Sequence, residues 1–170
     1  MRAAIASFLR RYCGDEELAE DLAQDTLLRV TRSLPQFNGR SSVKTWALSI
    51  ANRVAIDHNR KARRTALQDG LEKNMEMIDI ASATEQRVII DEMNDCVREV
   101  IFTLPEIYRS ALLLRDLEGL SVLEIADICD CSLATAKIRI HRARKRLQKA
   151  LVSTCEFYSD RDDILRADRR

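Results

Sequence analysis

Apolar side chains return every three or four positions along most of this 170-residue chain, the period of an amphipathic helix. The pattern Leu18, Leu22, Leu27, Leu28, Val30 predicts one such helix. It is entered through Gly14 and the acids Asp15, Glu16 and Glu17, which suit a positive helix start. Pro35 and Gly39 bracket a loop from Leu34 to Ser42. A second helix is expected from Val43 to Arg64, with Trp46, Ile50, Ala51 and Val54 facing inward. Residues 65–82 show little periodicity and read as a linker. Beyond it, Ser82 and Glu85 have capping-box spacing, ahead of Val88, Ile89, Met93, Cys96, Val97, Val100 and Ile101. Pro105 suits the first position of a further helix holding Ile107, Ala111, Leu112 and Leu114, which stops at Gly119. No segment alternates long enough to predict a strand.

The pattern is sharpest in the last third. Ser121 and Glu124 make a second capping box, opening a short helix with Leu123, Ile125 and Ala126 on its buried side. Ser132 then caps a longer helix whose stripe is Leu133, Ala136, Ile140, Ala143, Leu147 and Leu151. A short helix, a turn and a longer basic helix is the helix-turn-helix layout, whose second helix enters the DNA major groove. The predicted fold class is all-α, two small helical domains joined by a linker, the C-terminal one a helix-turn-helix. The expected boundaries are 1–64, a linker 65–83, a second domain 84–151 and a tail 152–170.

Charge sharpens this picture. The whole chain carries only +1, which taken alone argues against a nucleic-acid partner. By segment, residues 1–64 carry 12 basic and 7 acidic side chains and residues 96–150 carry 10 and 7. Residues 65–95 between them carry 2 and 8, and the tail from 151 carries 4 and 5. Two basic blocks therefore flank an acidic segment, which is expected to shield them in the free protein. Lys137, Arg139, Arg142, Arg144, Lys145, Arg146 and Lys149 follow one another without an acid, and Arg53, Arg60, Lys61, Arg63 and Arg64 surround only Asp57. Clusters of this kind are the footprint of a polyanion site.

Composition excludes other classes. Four Gly and two Pro are too few for a β fold with many tight turns. No run of 18 apolar residues exists, and the N-terminus lacks a signal peptide's apolar core, so a cytoplasmic protein without a membrane span is expected. With two His, no glycine-rich phosphate loop and no coherent nucleophile–base set, no enzyme and no cofactor are expected. The five Cys are odd in number and scattered, which argues against a disulfide framework. Cys129 and Cys131 lack zinc-ligand spacing and read as buried thiols. Cys155 stands alone in the tail as a weak metal candidate. The tail reads either as a regulatory segment that senses metal or redox state or as a fraying extension of the last helix.

The run LPEIYRSALLLRDLEGLSVLEIADICDCSLATAKIRIHRARKRLQKAL resembles the fourth conserved region of bacterial sigma factors, in particular the extracytoplasmic-function (ECF) group. The upstream run AEDLAQDTLLRVTRSLPQFNGRSSVKTWALSIANRVAIDHNRKARR resembles their second region. Two motifs in family order cover most of residues 18–151 and are far more specific than a lone helix-turn-helix.

The resemblance implies a protein that binds RNA polymerase core and directs promoter recognition and opening. Asp21, Gln24 and Asp25 match the motif that docks on the β′ coiled coil, and one helical turn sets the two carboxylates on one face. The loop with Asn38, Gly39 and Ser41 matches the segment that opens the minus ten element, where an unstacked base must be trapped. Arg53, Arg60, Arg63 and Arg64 would hold phosphates there. Trp46 reads as core rather than as a stacking platform. Arg53 stands where the family often has Asn, and Asn52, a residue earlier, lies about 100° around the helix. In the fourth region Lys137, Ile138, His141 and Arg142 would face bases of the minus thirty-five element, with Thr135, Arg139 and Arg144 on phosphates. Ile138 departs from the usual Ser. Many members are held inactive by an anti-sigma partner, and either such a partner or the tail is open to this chain. The rival reading is a one-component helix-turn-helix regulator, which leaves the DLAQDT helix without a purpose.

Overall fold

The structure is a computed structural model that describes residues 1–68, 95–159 and 165–170. The Ser82 capping box, the apolar positions Val88, Ile89 and Met93, and nearly all of the acidic segment lie outside the described residues.

Helix α1 (Arg2–Cys13) buries Ile5, Phe8, Leu9 and Tyr12 along one stripe. It ends at Gly14, whose left-handed φ of +75° lets its N–H reach the Arg10 carbonyl at 3.0 Å. The Phe102 ring also lies against Gly14, where a Cβ would sit. Helix α2 (Glu16–Ser33) starts on Asp15, whose carboxylate accepts the Leu18 N–H at 2.9 Å, and buries Ala19, Leu22, Ala23, Thr26 and Val30. Leu28 of the predicted stripe is exposed. A short 3-10 turn, Leu34–Gln36, leads to α3 (Val43–Gln68). Ser42 caps α3 by accepting the Thr45 N–H, and α3 outlasts the expected end at Arg64.

Helix α4 (Asp95–Thr103) is followed by α5 (Glu106–Leu112), which continues as a π turn over Leu113–Leu117. Pro105 is the cap of α5 rather than its first residue. Helix α6 (Val122–Ile128) carries the predicted capping box, with both the Ser121 and Glu124 side chains engaged. Leu123 corrects the expected face: it is 62% exposed, because two residues turn a helix by about 200° and set it opposite the buried Ile125. Helix α7 (Leu133–Thr154) starts on Ser132, which accepts the Thr135 N–H, and buries Ala136, Ile140 and Ala143; Leu133 overhangs the start and is exposed.

The helical class therefore holds, with one addition. The tail is neither a frayed helix nor featureless. Strands β1 (Cys155–Ser159) and β2 (Leu165–Arg169) pair antiparallel, with Cys155 opposite Arg169 and Phe157 opposite Ala167. Nor does Cys155 stand alone. It is bonded to Cys96 of α4, with Cα atoms 6.2 Å apart, inside the usual range for a bridge. Cys13, Cys129 and Cys131 are free and half-buried.

The two lobes share one core. A single buried cluster runs from Ile5 and Phe8 through Leu48 and Ala51 to Leu113, Leu114, Ile125 and Ala143. A small second cluster, Cys96, Val100, Cys155 and Ala167, lies under the hairpin.

Candidate nucleic-acid interface

The buried stripe of α7 fixes which residues point outward. With Ala136, Ile140 and Ala143 inside, Lys137, Ile138, His141, Arg142 and Arg144 are all exposed. Ile138 is 50% exposed, an apolar group offered to solvent between cations. The phosphate candidates differ in their freedom. Arg144 makes a two-armed pair with Asp116, which raises its pKa through the hydrogen bonds and charge of that carboxylate. Arg139 is half-buried and hydrogen-bonds the Cys129 thiol, so it braces the turn. The Thr135 hydroxyl meets the Ser132 hydroxyl at 2.8 Å.

In the first lobe, Asp21 and Gln24 are exposed on α2, and Asp25 is half-buried and paired with Arg29 at 2.9 Å. Between α2 and α3 an open groove of about 290 Å³ is lined by Arg29, Arg32, Ser33, Ile50 and Arg53. Sequence reasoning found Arg53 but missed Arg29 and Arg32; only the packing of α2 on α3 brings the three together. Asn52 is 2% exposed, and its side-chain oxygen has no hydrogen-bond partner among the described residues, so it faces the core and not the groove. Trp46 is half-buried against the core, with the Phe37 ring 4.9 Å from it. Asn38 is exposed, and its side-chain oxygen accepts the Arg40 N–H at 3.2 Å across Gly39, whose φ is +71°. Ser41 is half-buried. Arg60 pairs with Asp57 within α3, Arg64 is exposed, and Arg63 reaches Glu106 of the second lobe at 3.3 Å.

That last contact belongs to a set that joins the lobes and that the sequence did not reveal. Glu118 receives Lys44 at 3.2 Å and Arg11 at 3.5 Å. The Thr45 hydroxyl donates to Glu124 at 2.7 Å. The backbone N–H of Ser121 and the Thr45 hydroxyl together hold the Glu124 carboxyl below its ordinary pKa. Arg109 of α5 donates to the carbonyls of Tyr12 and Leu104, each at 3.2 Å, and to that of Phe102. Its guanidinium also lies over the Tyr12 ring, 5.4 Å from the centroid. Burial pushes the Tyr12 hydroxyl up to about 12, with Arg109 opposing.

Among the described residues no group of three or more His, Cys, Asp or Glu is arranged to hold a metal. Cys155, the metal candidate, is engaged in its disulfide, which corrects that expectation: a bridged sulfur has no thiolate to offer. Among the described residues no helix is long and apolar enough to cross a membrane.

Residues 1–65 match the model of sigma-70 region 2, and residues 94–147 match that of sigma-70 region 4. The chain is 35% identical to the RNA polymerase sigma-H factor of Pseudomonas aeruginosa, an alignment covering 86% of this chain and 80% of that one. It is 31% identical to the ECF RNA polymerase sigma-E factor of Haemophilus influenzae, over 86% and 81%. Its structure is similar to that of the sigma factor RpoE, solved in complex with the anti-sigma factor NepR from Bartonella quintana. The TM-score is 0.73 at 28% identity, over 89% of this chain and 91% of the other. Both regions, in order and on one chain, with relatives of one kind along most of its length, make this protein a member of the sigma-70 family of the ECF type, an RNA polymerase sigma factor that directs promoter-specific transcription initiation.

Proposed function

We propose that the chain works by dividing the task between its lobes. The first docks on polymerase core through Asp21, Gln24 and Asp25 and holds the minus ten strand with Asn38, Gly39, Ser41, Arg53, Arg60, Arg63 and Arg64. The second reads the minus thirty-five element through α7. It carries out no chemistry of its own, and its place of work is the cytoplasm, where polymerase is. The observation that carries this reading is the outward face of α7. Lys137, Ile138, His141 and Arg142 are exposed together, within about a turn and a half, on a helix anchored by its other side. Such a face suits phosphate and guanine contacts from the cations and a thymine methyl contact from Ile138.

The packing of the lobes adds a requirement. The two promoter elements lie roughly 25 base pairs apart, roughly 85 Å of duplex. The longest of the described helices, α3, has 26 residues and spans about 39 Å. A body in which Lys44 touches Glu118 and Arg63 touches Glu106 must open to meet both elements. An anti-sigma partner, as in the Bartonella complex, is part of the same proposal, as a protein that would act on this equilibrium.

The test is run-off transcription with purified core polymerase on promoters selected from random DNA by the holoenzyme. The protein should programme initiation, and Asp25→Arg should weaken core binding. A chain that binds DNA without core and never programmes initiation would be a one-component regulator instead.

A further inference from the structure

The fold joins two cysteines 59 residues apart in sequence, and the joint sits at a mechanical junction. Cys96 lies on α4 and Cys155 at the end of α7, 4% and 0% exposed. The described contacts of the hairpin that begins at Cys155 are small beside those of the main core. Its buried cluster adds only Val100 and Ala167 to the two cysteines, with Val97, Leu147, Ala150 and Leu151 at the edge. Beyond that, Arg169 meets Glu99 at 3.7 Å with both side chains exposed, and the Arg170 N–H reaches the Thr154 carbonyl at 2.9 Å. A two-stranded hairpin is marginal by itself, and an exposed ion pair adds little. The bridge is the covalent tie of the hairpin to α4. The same short helix touches the first lobe through the Phe102 ring on Gly14, and its Phe102 carbonyl accepts from Arg109 of α5, which in turn donates to the Tyr12 carbonyl of the first lobe. Helix α4 is thus clamped between the tail and the lobe contact.

On the sigma-factor reading, on which this inference rests, the protein works where thiols are kept reduced, and a disulfide there is transient and sensing rather than structural. We propose that Cys96–Cys155 is a thiol–disulfide switch: oxidised, it seats the hairpin on α4 and holds the second lobe against the first; reduced, it frees the hairpin and lets the lobes part for promoter binding. Reduction proceeds by exchange with a dithiol. One thiolate of the dithiol attacks a bridge sulfur and forms a mixed disulfide, and the other cysteine leaves as a thiolate and takes up a proton. The second thiol of the dithiol then resolves the mixed species. Two electrons pass to the protein, which gains two thiols, and the dithiol becomes a disulfide. Oxidised glutathione drives the reverse, returning as two reduced molecules. The bridge is buried, so exchange passes through local opening of the hairpin. Two of the three free thiols are muted. Burial pushes Cys13 up to about 12 and Cys129 up to about 11, leaving few thiolates there at neutral pH.

The experiment uses the full chain, equilibrated with oxidised glutathione or with dithiothreitol. Peptide mapping after alkylation should find Cys96 linked to Cys155 only in the first sample, and small-angle scattering should find the second sample more extended. Run-off transcription with core on a selected promoter should be at least about fivefold weaker for the oxidised protein and recover with dithiothreitol. Cys96→Ser and Cys155→Ser should be active in both conditions. If either variant fails to fold, the parent protein's response to dithiothreitol carries the test. Absence of the Cys96–Cys155 link across all glutathione ratios, or run-off indifferent to the redox state, overturns the switch. Failure of the reduced protein to bind core would instead overturn the sigma-factor reading, and the mapping and scattering results, which need no polymerase, keep the two failures apart.

Discussion

The main core and the cluster under the hairpin use similar side chains, yet different forces hold them. The main core draws Ile5, Phe8, Leu48, Leu114 and Ile125 from helices of both lobes into one interior, and burial is its chief support. The second cluster has four buried members, two of them the bridged cysteines. A covalent link offsets part of the entropy of ordering two strands there. The contrast separates what burial holds from what a reductant can release. The joined lobes draw on both, on the shared core with Arg109, Glu118 and Glu124 setting how the halves meet, and on α4, to which the bridge ties the tail.

Four measurements would sharpen or break that contrast. The largest effect belongs to Phe8→Ala, which should cost about 3–5 kcal/mol in urea unfolding, as for other aromatic truncations in packed cores. A loss under 1 kcal/mol would mean that the interior is looser than its burial suggests. Next comes opening of the Cys96–Cys155 bridge, which should lower stability by about 2–4 kcal/mol for a loop of this length. Equal urea midpoints with and without dithiothreitol would show that the hairpin holds itself. Third, Arg109→Ala leaves the Tyr12 and Leu104 carbonyls without their cationic donor and should cost about 1.5–3 kcal/mol. Amide exchange should rise at the end of α1 and in α5, where a polar bolt would act, and unaltered exchange there would contradict its role between lobes.

The smallest effect is one of pH. Glu124 has a folded pKa below its ordinary 4.5, set first by the Ser121 N–H and then by the Thr45 hydroxyl. The folded state therefore binds its proton less readily than the unfolded state. Its contribution is complete above pH 4.5 and fades as pH falls through the lower folded value. Glu124→Gln should flatten that part of the acid limb, and an identical limb in the variant would remove Glu124 from the account.

What could be read from the sequence was local. The caps at Ser121 and Ser132, the stop at Gly119 and the buried stripe of α7 depend on residues within a turn or two, so periodicity and capping chemistry suffice. The outward residues of α7 followed from that stripe. Features made by distant segments were not legible. Arg29 and Arg32 joined Arg53 only when α2 lay on α3. Glu118 gave no hint that Lys44 and Arg11 would meet it. Cys96 and Cys155 are separated by three helices and looked unrelated. The hairpin escaped because Phe157 and Tyr158 are adjacent and both exposed, so its first strand lacks the alternation by which strands are found. Leu123 failed for a simpler reason, since apolar neighbours in sequence were assigned to one face without turning the helix.

Gly14 offers a lever on the lobe contact. Its backbone conformation disfavours any residue with a side chain, and the space beside it is filled by the Phe102 ring from the opposite lobe. A single methyl group there is a wedge, inserted at the seam without disturbing any ion pair. Gly14→Ala should shift the chain toward a splayed form with a larger radius of gyration in scattering, whichever state the cysteines are in. An unchanged radius would show the ring yielding in place. Should the wedge work, the smallest alteration the genetic code permits at this position would uncouple the arrangement of the lobes from the chemistry of the tail.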